Sequence, residues 1–297
     1  MINDPASLGL VQQATQRTKI ALFSGAPVKN AGKATPFLKW AGGKSELLPE
    51  IEKRLPRSFS TYWEPFIGGG ALYFRLSPAS AVISDGNEEL VNCYQVVRDE
   101  VEGLIAALRK HSNNKEHFLR TRRMQPWQLE PVDRAARLIY LNKTCYNGLY
   151  RVNQRGEFNV PFGRYENPRI CDENGLRECS RVLREADVVC RDFRHLLYKA
   201  KPGDFVYFDP PYSPISKTSS FTAYSESPFD QREQKALRQV FNALDDRGCH
   251  VMLSNSDTEY TRKLYHKFNV EAVQASRAIN SRADKRGKVS ELIITNY

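Results

Sequence analysis

The residues with the clearest chemical potential are Asp209-Pro-Pro-Tyr212, which follow the apolar run Phe205-Val-Tyr-Phe208. The run predicts a buried strand, and two successive prolines cannot continue a strand's hydrogen-bonding ladder. We therefore expect the strand to end at Asp209 and the chain to leave the sheet as a stiff, extended turn. This turn would present a carboxylate, backbone carbonyls and an aromatic ring in the crevice where open α/β sheets bind ligands. Such a set suits a planar amino-heterocycle.

A glycine loop and an acidic residue form a second candidate site. The segment Tyr62–Leu72 has the pattern of a strand, a Gly68-Gly-Gly70 loop and a helix from Ala71. Glycines allow the backbone to approach a ligand closely, and Asp85 ends the next predicted strand. An acid at this distance from a glycine loop typically binds ribose hydroxyls. Because the loop offers no positive nest for a pyrophosphate, a nucleoside without phosphates fits better than a dinucleotide.

Trp40 and Lys44 flank a third feature, a glycine turn that precedes a helix predicted from Ser45 to Leu55. An indole and a cation suit an aromatic ring and a carboxylate of a ligand, although Trp40 is equally compatible with simple core packing. The Gly-Gly-Lys-Ser sequence also suggests a phosphate-binding loop and hence an ATPase. That motif requires a glycine where Leu38 stands and a preceding buried strand, so the ATPase interpretation fails.

The charge distribution indicates a polyanionic partner. The net charge is +10, and residues 103–170 contain 13 Lys and Arg against 5 Asp and Glu, which gives +8 in this segment. An alternating pattern around Gly156 predicts a β-hairpin with a Gln-Arg-Gly turn and a cluster of Asn, Arg and Tyr. Asn and Arg read base edges, and aromatic rings stack on or wedge between bases. A solvated basic surface is the alternative, and nucleic-acid contact is favoured.

The remaining pattern is that of alternating helices and strands. Helices are predicted over residues 88–110, 115–123, 131–141, 230–243 and 261–268, and strands over 81–84, 186–193, 250–256 and 289–296. Residues 1–33 lack periodicity and predict a mobile leader. Residues 213–229, with Phe221 and Tyr224, predict a lid beside the site. A basic strip for backbone phosphates is predicted from five residues: Arg277, Arg282, Lys285, Arg286 and Lys288.

Several classes of protein are disfavoured by composition. No apolar run approaches the ~20 residues that cross a bilayer, and no secretion signal is visible. The 6 cysteines and 5 histidines are scattered without metal-ligand spacing, which predicts reduced thiols and no metal site. We therefore expect no membrane association and a cytoplasmic location.

Together these motifs resemble the Dam-type DNA adenine N6 methyltransferases that recognise GATC. The resemblance covers the chain from about Thr35 to Tyr297 and lies in a series of motifs in the family's order. These are Lys39-Trp-Ala-Gly-Gly-Lys44, Glu64-Pro-Phe-Ile-Gly-Gly-Gly-Ala71, Asn147-Gly-Leu-Tyr-Arg151, Gly156-Glu-Phe-Asn-Val-Pro-Phe-Gly-Arg-Tyr165, Asp209-Pro-Pro-Tyr212 and Phe221-Thr-Ala-Tyr224.

The resemblance implies an α/β fold, with a Rossmann-like methyltransferase sheet covered by helices on both faces. It further implies a mostly helical target-recognition insert with a β-hairpin. By this reading residues 34–98 and 186–297 form the catalytic domain, residues 99–185 form the insert, and residues 1–33 are a disordered leader. The implied cofactor is S-adenosylmethionine and the implied partner is double-stranded DNA. We expect an enzyme of a prokaryote or a phage that acts at the nucleoid and uses no metal.

The resemblance also assigns roles to residues. Catalysis falls to Asp209, Pro210, Pro211 and Tyr212. Cofactor contacts fall to Trp40, Lys44, Phe66, Gly68, Gly69, Gly70, Asp85, Asp192, Phe193 and Asp209. DNA contacts fall to Lys39, Asn147, Leu149, Tyr150, Arg151 and Pro161, where Tyr150 is larger than the residue of some relatives. Asp209 and the Pro210 carbonyl are predicted to accept the two hydrogens of a flipped adenine amino group, on which Tyr212 stacks.

Other substrates present a planar amino group to the same motif. The alternative methyl acceptors are therefore cytosine N4, RNA adenine and a protein glutamine amide, although the basic insert disfavours a protein substrate. A DNA-binding module without catalysis is the alternative from another class, and the intact Asp209 and glycine loop disfavour it. We expect a monomer, since methylating one base per event requires no symmetry. A functional restriction endonuclease partner is an open possibility.

Overall fold

The computed structural model describes residues 34–212, 229–276 and 288–297. The predicted leader, the lid residues 213–228 with Phe221 and Tyr224, and the predicted strip from Arg277 to Arg286 lie outside these ranges. Within them, seven strands form one sheet in the order β3-β2-β1-β4-β5-β7-β6. The strands are β1 Tyr62–Glu64, β2 Ala81–Asp85, β3 Ala186–Cys190, β4 Phe205–Phe208, β5 His250–Ser256, β6 Asn269–Ser276 and β7 Lys288–Thr295.

The strand order determines where a ligand can bind. Strands β1 to β5 are parallel, whereas β7 runs antiparallel to both β5 and β6. The chain moves outward from β1 through β2 to β3 and then returns to the other side of β1 as β4. A crevice opens at such a switch point, beyond the carboxyl ends of the two strands. The residues that follow β1 and β4 therefore lie on either side of one crevice.

Helices cover both faces of the sheet, which confirms the predicted doubly wound α/β fold. Strand β4 shows the arrangement most clearly, because all four of its residues are buried. Phe205 and Tyr207 belong to the core on one face, and Val206 and Phe208 belong to the core on the other. The helices are α1 Leu48–Glu52, α2 Ala71–Leu76, α3 Glu88–Asp99, α4 Val101–Leu108, α5 Lys115–Arg123, α6 Pro131–Thr144, α7 Glu173–Leu183, α8 Leu196–Lys199, α9 Gln231–Asp246 and α10 Glu259–Leu264.

Two helix predictions were wrong in extent. The helix predicted over residues 88–110 is divided into α3 and α4 at Glu100, whose φ of −133° and ψ of 37° are not helical. The break lets the apolar side of α4 turn onto α6. The helix predicted from Ser45 to Leu55 is reduced to α1, which begins only where Pro49 can occupy the first turn. Proline lacks an N–H, so it starts helices well and continues them badly.

The region after β5 was also predicted incorrectly. Helix α10 begins two residues before the predicted range 261–268 and ends within it, at Leu264; its start is set by the Thr258 side chain, which accepts from the Thr261 N–H and caps the helix. The edge strand β6 was not predicted. Within its described side chains only Val273 is buried, so the strand lacks a clear apolar alternation. Its pairing with β7 is a long-range feature that local sequence does not encode.

The predicted hairpin around Gly156 is present only as sparse antiparallel pairing. Single bridges join Val152 to Phe158 and Cys145 to Phe162, and no continuous ladder connects them. The turn is closed by Asn153, whose Oδ1 accepts from the N–H groups of Arg155 and Glu157 at 2.9 and 3.0 Å. An Asn that caps its own turn in this way replaces ladder hydrogen bonds with side-chain ones.

Asp204 fixes the start of β4 and gives a test of fold stability. Its buried carboxylate accepts hydrogen bonds from the Thr61 N–H at 3.1 Å, the Trp63 indole at 2.8 Å and the Lys201 N–H at 2.9 Å. We expect Asp204→Ala to lower the free energy of unfolding by about 3 kcal/mol, because the buried Trp63 indole and two part-buried backbone N–H groups lose their acceptor. Urea denaturation would measure this. Asp187→Ala, at an exposed position on β3, should change it by less than about 0.5 kcal/mol. Equal losses in both variants would contradict the assignment.

Candidate active site

Asp209 lies directly after β4 and is held by two side chains from different parts of the chain. Lys44 Nζ is 2.7 Å from Oδ1, and the Ser254 hydroxyl donates to the same oxygen at 2.9 Å. Ser254 is on β5, which pairs with β4, and Lys44 is in the turn before α1. Burial raises the pKa of the Asp209 carboxyl, and the cation of Lys44 opposes that rise. Both partners contact Oδ1, and within the described residues no donor reaches Oδ2, which can accept from a further group.

Two contacts hold the Tyr212 side chain, one on the face of its ring and one at its hydroxyl. Lys44 Nζ lies 4.6 Å from the ring centroid, and the hydroxyl donates to Glu291 Oε2 at 2.7 Å. Glu291 is a buried acid on β7. Burial raises the pKa of the Tyr212 hydroxyl far above its ordinary value, and the neighbouring carboxylates add to the effect. The hydroxyl therefore remains a hydrogen-bond donor, and the ring keeps one orientation next to Asp209.

The two prolines differ in the state of their carbonyl groups. Gln234 donates to the Pro211 carbonyl from Nε2 at 3.1 Å. None of the residues in the described ranges donates a hydrogen bond to the Pro210 carbonyl. The Pro210 oxygen and Asp209 Oδ2 are thus two available acceptors on adjacent residues. This pair is the hydrogen-bonding pattern that an amino group with two hydrogens requires.

The glycine loop packs tightly against Trp40. Gly68 and Gly70 have φ values of +47° and +69°, and a Cβ on Gly68 would lie 2.9 Å from Trp40 Cδ1. The Gly68 N–H donates to Asp85 Oδ2 at 3.3 Å, and the Asn87 N–H donates to Asp85 Oδ1 at 2.9 Å. Burial raises the pKa of Asp85 to about 6. The loop after β1, the acid at the end of β2 and Trp40 therefore form one wall of the crevice.

Aromatic rings form the wall next to β3. Phe66 lies 5.4 Å from Phe193 and 5.6 Å from Phe229 between ring centroids, and Phe193 lies 5.9 Å from Phe229. Asp192, which precedes Phe193, accepts from the Arg194 N–H at 2.9 Å and pairs with its guanidinium at 2.8 Å. The predicted residues Phe66 and Phe193 thus lie together, whereas Asp192 is exposed and forms an ion pair with Arg194.

The residues around the crevice fit a nucleoside-bearing cofactor such as S-adenosylmethionine. Among the described residues, the donors to Asp85 are backbone N–H groups, and each carboxylate oxygen can accept a second donor such as a ribose hydroxyl. The rings of Phe66 and Phe193 offer apolar area for an adenine, and Lys44 carries the positive charge that a carboxylate requires. The set contains donors and acceptors for each part of such a molecule and no cluster suited to a pyrophosphate.

The predicted DNA-contacting residues lie on the neighbouring surface, with one exception. Lys39 is exposed and its Nζ lies 5.7 Å from the Tyr165 ring, and Pro161 is also exposed. Arg151 Nε donates to Asn159 Oδ1 at 2.6 Å, which fixes the guanidinium at the hairpin. Leu149 and Asn147 are half-buried, with Asn147 at a φ of +56°. Tyr150 is the exception, because only 6% of it is exposed.

Sequence reasoning missed four residues that organise the site: Glu64, Asn142, Ser254 and Glu291. A signal existed for Ser254, because β4 and β5 are neighbouring parallel strands whose ends meet at one edge. Glu291 was visible as a lone acid in an apolar strand, and a lone buried acid needs a partner. Asn142 had no such signal, since asparagine within a predicted helix is unremarkable until its contacts are known.

Glu64 is a buried acid beneath the site. The Tyr62 hydroxyl donates to Glu64 Oε2 at 2.7 Å. Burial raises the pKa of Glu64 to about 8, and the negative charge of Asp209 contributes to the rise. The folded protein therefore holds a proton on Glu64 at neutral pH that the unfolded chain releases near its ordinary pKa.

This retained proton predicts a pH dependence of stability. Between the ordinary pKa of a glutamate and pH 8, only the folded state keeps the proton, so stability falls as pH rises. One proton corresponds to about 1.4 kcal/mol of unfolding free energy per pH unit. We expect Glu64→Gln to remove this slope, because the amide accepts from Tyr62 without ionising. Urea denaturation at pH 5, 6.5 and 8 measures it, with exposed Glu46→Gln as the control. An unchanged slope in Glu64→Gln would contradict the protonation state.

In the described residues, no helix is both long and apolar enough to cross a membrane. The same ranges contain no group of three or more His, Cys, Asp or Glu side chains arranged to hold a metal ion.

Comparison with known proteins gives consistent matches. Residues 40–279 match the family described as D12 class N6 adenine-specific DNA methyltransferase. The type II methyltransferase M1.LlaDCHI of Lactococcus lactis subsp. cremoris is 44% identical over 277 residues, which cover 91% of this chain and 98% of the relative. M.MjaIII of Methanocaldococcus jannaschii, also a type II methyltransferase, is 44% identical over 88% of this chain and 99% of the relative. The DNA adenine methylase of Escherichia coli K12 is 35% identical over 88% and 95%.

Proposed function

Because this chain belongs to the D12 class of N6 adenine-specific DNA methyltransferases, we propose that it methylates adenine N6 in GATC sites of duplex DNA. The proposed methyl donor is S-adenosylmethionine, and the adenine is flipped out of the duplex for the reaction. The class gives the reaction type. The choice of GATC rests on the recognition motifs from Asn147 to Arg151 and from Gly156 to Tyr165, which resemble those of the Dam-type enzymes.

The observation that carries the proposal is the pair of available acceptors, Asp209 Oδ2 and the Pro210 carbonyl, at the switch point of the sheet. The lone pair of an adenine amino nitrogen is delocalised into the ring, which makes the nitrogen a poor nucleophile. Hydrogen bonds from both amino hydrogens to fixed acceptors hold the group in the orientation for attack. The nitrogen gains a methyl group and loses one hydrogen as a proton, which Asp209, as an acceptor of that hydrogen, would take up. Its raised pKa favours this role.

The cofactor, when bound, supplies an electrophilic methyl group on a positively charged sulfur. Asp85 would hold the ribose hydroxyls, and Phe66 and Phe193 would contact the adenine ring. Trp40 and the loop Gly68–Gly70 would close the opposite side. Lys44 would attract the carboxylate of the methionine part, although it also holds Asp209 in place. Asp192 joins this proposed set only if Arg194 releases it, because the two now form an ion pair.

We propose that residues 99–185 act as a target-recognition insert between the parts 34–98 and 186–297 of the catalytic domain. This segment lies between two neighbouring parallel strands, β2 and β3. It also contains the +8 excess between residues 103 and 170. Arg151 and Asn147 suit base edges, Leu149 suits apolar contact, and exposed Lys39 and Pro161 flank the same surface. Association through so many cations should depend steeply on salt.

One experiment tests the proposal as a whole. The protein is incubated with methyl-labelled S-adenosylmethionine and duplexes that carry one GATC site, a GATT site or a GACC site, and the modified nucleoside is identified by mass spectrometry. We expect N6-methyladenine from the GATC duplex, with at least about 10³-fold less from the altered sites. N4-methylcytosine from any of these duplexes, or methylation confined to an RNA duplex of the same sequence incubated in parallel, would favour the alternative substrates. Binding of the duplex without any transfer would favour a module without catalysis.

The similarity to type II methyltransferases supports a further proposal, that the enzyme protects DNA from a restriction endonuclease of the same specificity. We further propose a monomer located in the cytoplasm at the nucleoid, because one adenine is modified per event. Sedimentation in the presence of duplex would test the oligomeric state. Resistance of DNA from cells that express the enzyme to GATC-cleaving nucleases would test protection.

A further inference from the structure

The turn that carries Trp40 and the loop that carries Leu149 and Arg151 are joined by one buried side chain. Asn142, on α6, is 1% exposed. Its Oδ1 accepts from the Lys39 N–H at 2.9 Å, and its Nδ2 donates to the carbonyl groups of Lys39 and Gly148, each at 2.8 Å. A single amide therefore spans both segments, and the separation between them is fixed to hydrogen-bond distance.

The two segments also touch at Gly148. Its φ is +64°, and a Cβ at this position would lie 2.5 Å from Lys39 Cδ. Only glycine permits both this conformation and this approach. The predicted cofactor segment and the predicted DNA-reading segment are therefore in contact.

Tyr150 extends the junction into the cofactor wall. Its ring stacks on Trp40 with centroids 5.0 Å apart and planes inclined by 22°. The ring also meets Phe158 edge to face at 6.0 Å. The side chain of Asn87 lies beside the Tyr150 hydroxyl, and the Asn87 N–H donates to Asp85. Tyr150 thus touches the two segments proposed to hold the nucleoside, although its chain neighbours are proposed to face DNA.

We propose that Tyr150 couples cofactor binding to DNA binding through its stack on Trp40. The inference rests on the proposed function of both surfaces. Trp40 lies in a turn with two glycines, so a cofactor that contacts the indole restricts the turn and the stacked ring together. DNA that contacts Leu149 and Arg151 restricts the same ring from the other side. The first ligand to bind thus already restricts the Trp40 turn and the Tyr150 ring, so the second ligand loses less free energy in ordering them. Each ligand therefore strengthens binding of the other.

The coupling is measurable as the ratio of two dissociation constants of the cofactor product, the value without duplex divided by the value with duplex. Isothermal titration gives the dissociation constant of S-adenosylhomocysteine for the full chain alone and with a saturating duplex that contains one GATC site. We expect the duplex to tighten binding about 2- to 10-fold in the wild type, the range of an aromatic pair. In Tyr150→Leu, which fills the space without a stacking face, the ratio should fall to about 1.

Matched variants separate coupling from simple packing. Tyr150→Phe retains the ring and should retain the ratio. Phe158→Leu removes a neighbour of Tyr150 that does not contribute to the Trp40 stack, and it should also retain the ratio. An unchanged ratio in Tyr150→Leu, or an equal reduction in Phe158→Leu, would overturn the inference.

A second measurement needs no variant. In the wild-type protein, S-adenosylhomocysteine alone should slow amide hydrogen exchange at residues 148–151, and the duplex alone should slow it at residues 40–43, a range that leaves out the proposed DNA contact Lys39. Absence of both effects would overturn the coupling. If the wild type binds each ligand and the ratio is 1, the inference fails while the proposed function stands. If it binds neither ligand, the proposed function itself is wrong, and the inference that rests on it is overturned as well.

Discussion

Replacing Asp209 with alanine should reduce methyl transfer to a GATC duplex by about 10³-fold or more, the loss typical of removing a group that stabilises the transition state. In the proposed mechanism the carboxylate is the acceptor that orients the amino group and the base that takes up its proton. Single-turnover rates with saturating cofactor and duplex measure this effect directly, because binding then contributes nothing to the observed rate. Duplex affinity, measured by anisotropy, should change by less than about threefold, since the proposed base-reading residues lie elsewhere.

The alanine variant needs a control for folding. Lys44 is buried, and losing its partner leaves an uncompensated charge that costs about 3–5 kcal/mol. Asp209→Asn preserves the volume and one acceptor oxygen, so it should fold more reliably while still losing about 10²-fold in rate as the base disappears. Full activity of Asp209→Asn would show that no base is needed at this position. Full activity of both variants would contradict the catalytic assignment.

The β4 strand and its turn could be predicted from sequence because local rules decide them. An apolar run of four residues followed shortly by two prolines has few other outcomes, and the strand does end at Phe208, directly before Asp209. The glycine loop after β1 and the acid at the end of β2 were predictable for the same reason. Each depends on residues within a few positions, and their meeting in one crevice follows from parallel strand order.

The contacts that tune these residues could not be predicted, because they depend on register between distant strands. Ser254 reaches Asp209 only because Phe208 pairs with Leu253, and Glu291 reaches Tyr212 only because β7 runs antiparallel beside β5. Tyr150 shows that position within a motif does not reveal the direction of a side chain. Its place between Leu149 and Arg151 suggested a DNA contact, but the ring points into the protein and is buried against Trp40.

Lys44 therefore has two proposed duties in one position. It attracts the carboxylate of the cofactor, and it holds the charge of Asp209, whose pKa burial would otherwise raise further. A cation that stabilises the ionised form of Asp209 keeps the base available at neutral pH. The stack of Tyr212 beneath the ammonium adds a third contact to the same group.

Lys44→Met should therefore change the pH dependence of the rate as well as its size. Without the cation, the pKa of Asp209 rises further above its usual range, and more of the carboxyl is protonated at neutral pH. Activity depends on the carboxylate, so it is lost as pH falls through the pKa of Asp209, and the acidic limb of the profile moves to higher pH. We expect the ratio of wild-type to variant single-turnover rate to be about tenfold larger at pH 6 than at pH 9.

The two duties of Lys44 can be separated by how the rate is measured. At saturating S-adenosylmethionine, weakened cofactor attraction no longer limits the rate, so a remaining pH-dependent loss belongs to Asp209. Lys44→Arg keeps the positive charge and should keep the wild-type position of the acidic limb, even if the larger group slows the reaction at every pH. Parallel profiles for Lys44→Met and the wild type would mean that Lys44 acts on the cofactor alone. The ionisation of Asp209 would then be set by burial and by Ser254, the other donor to Oδ1.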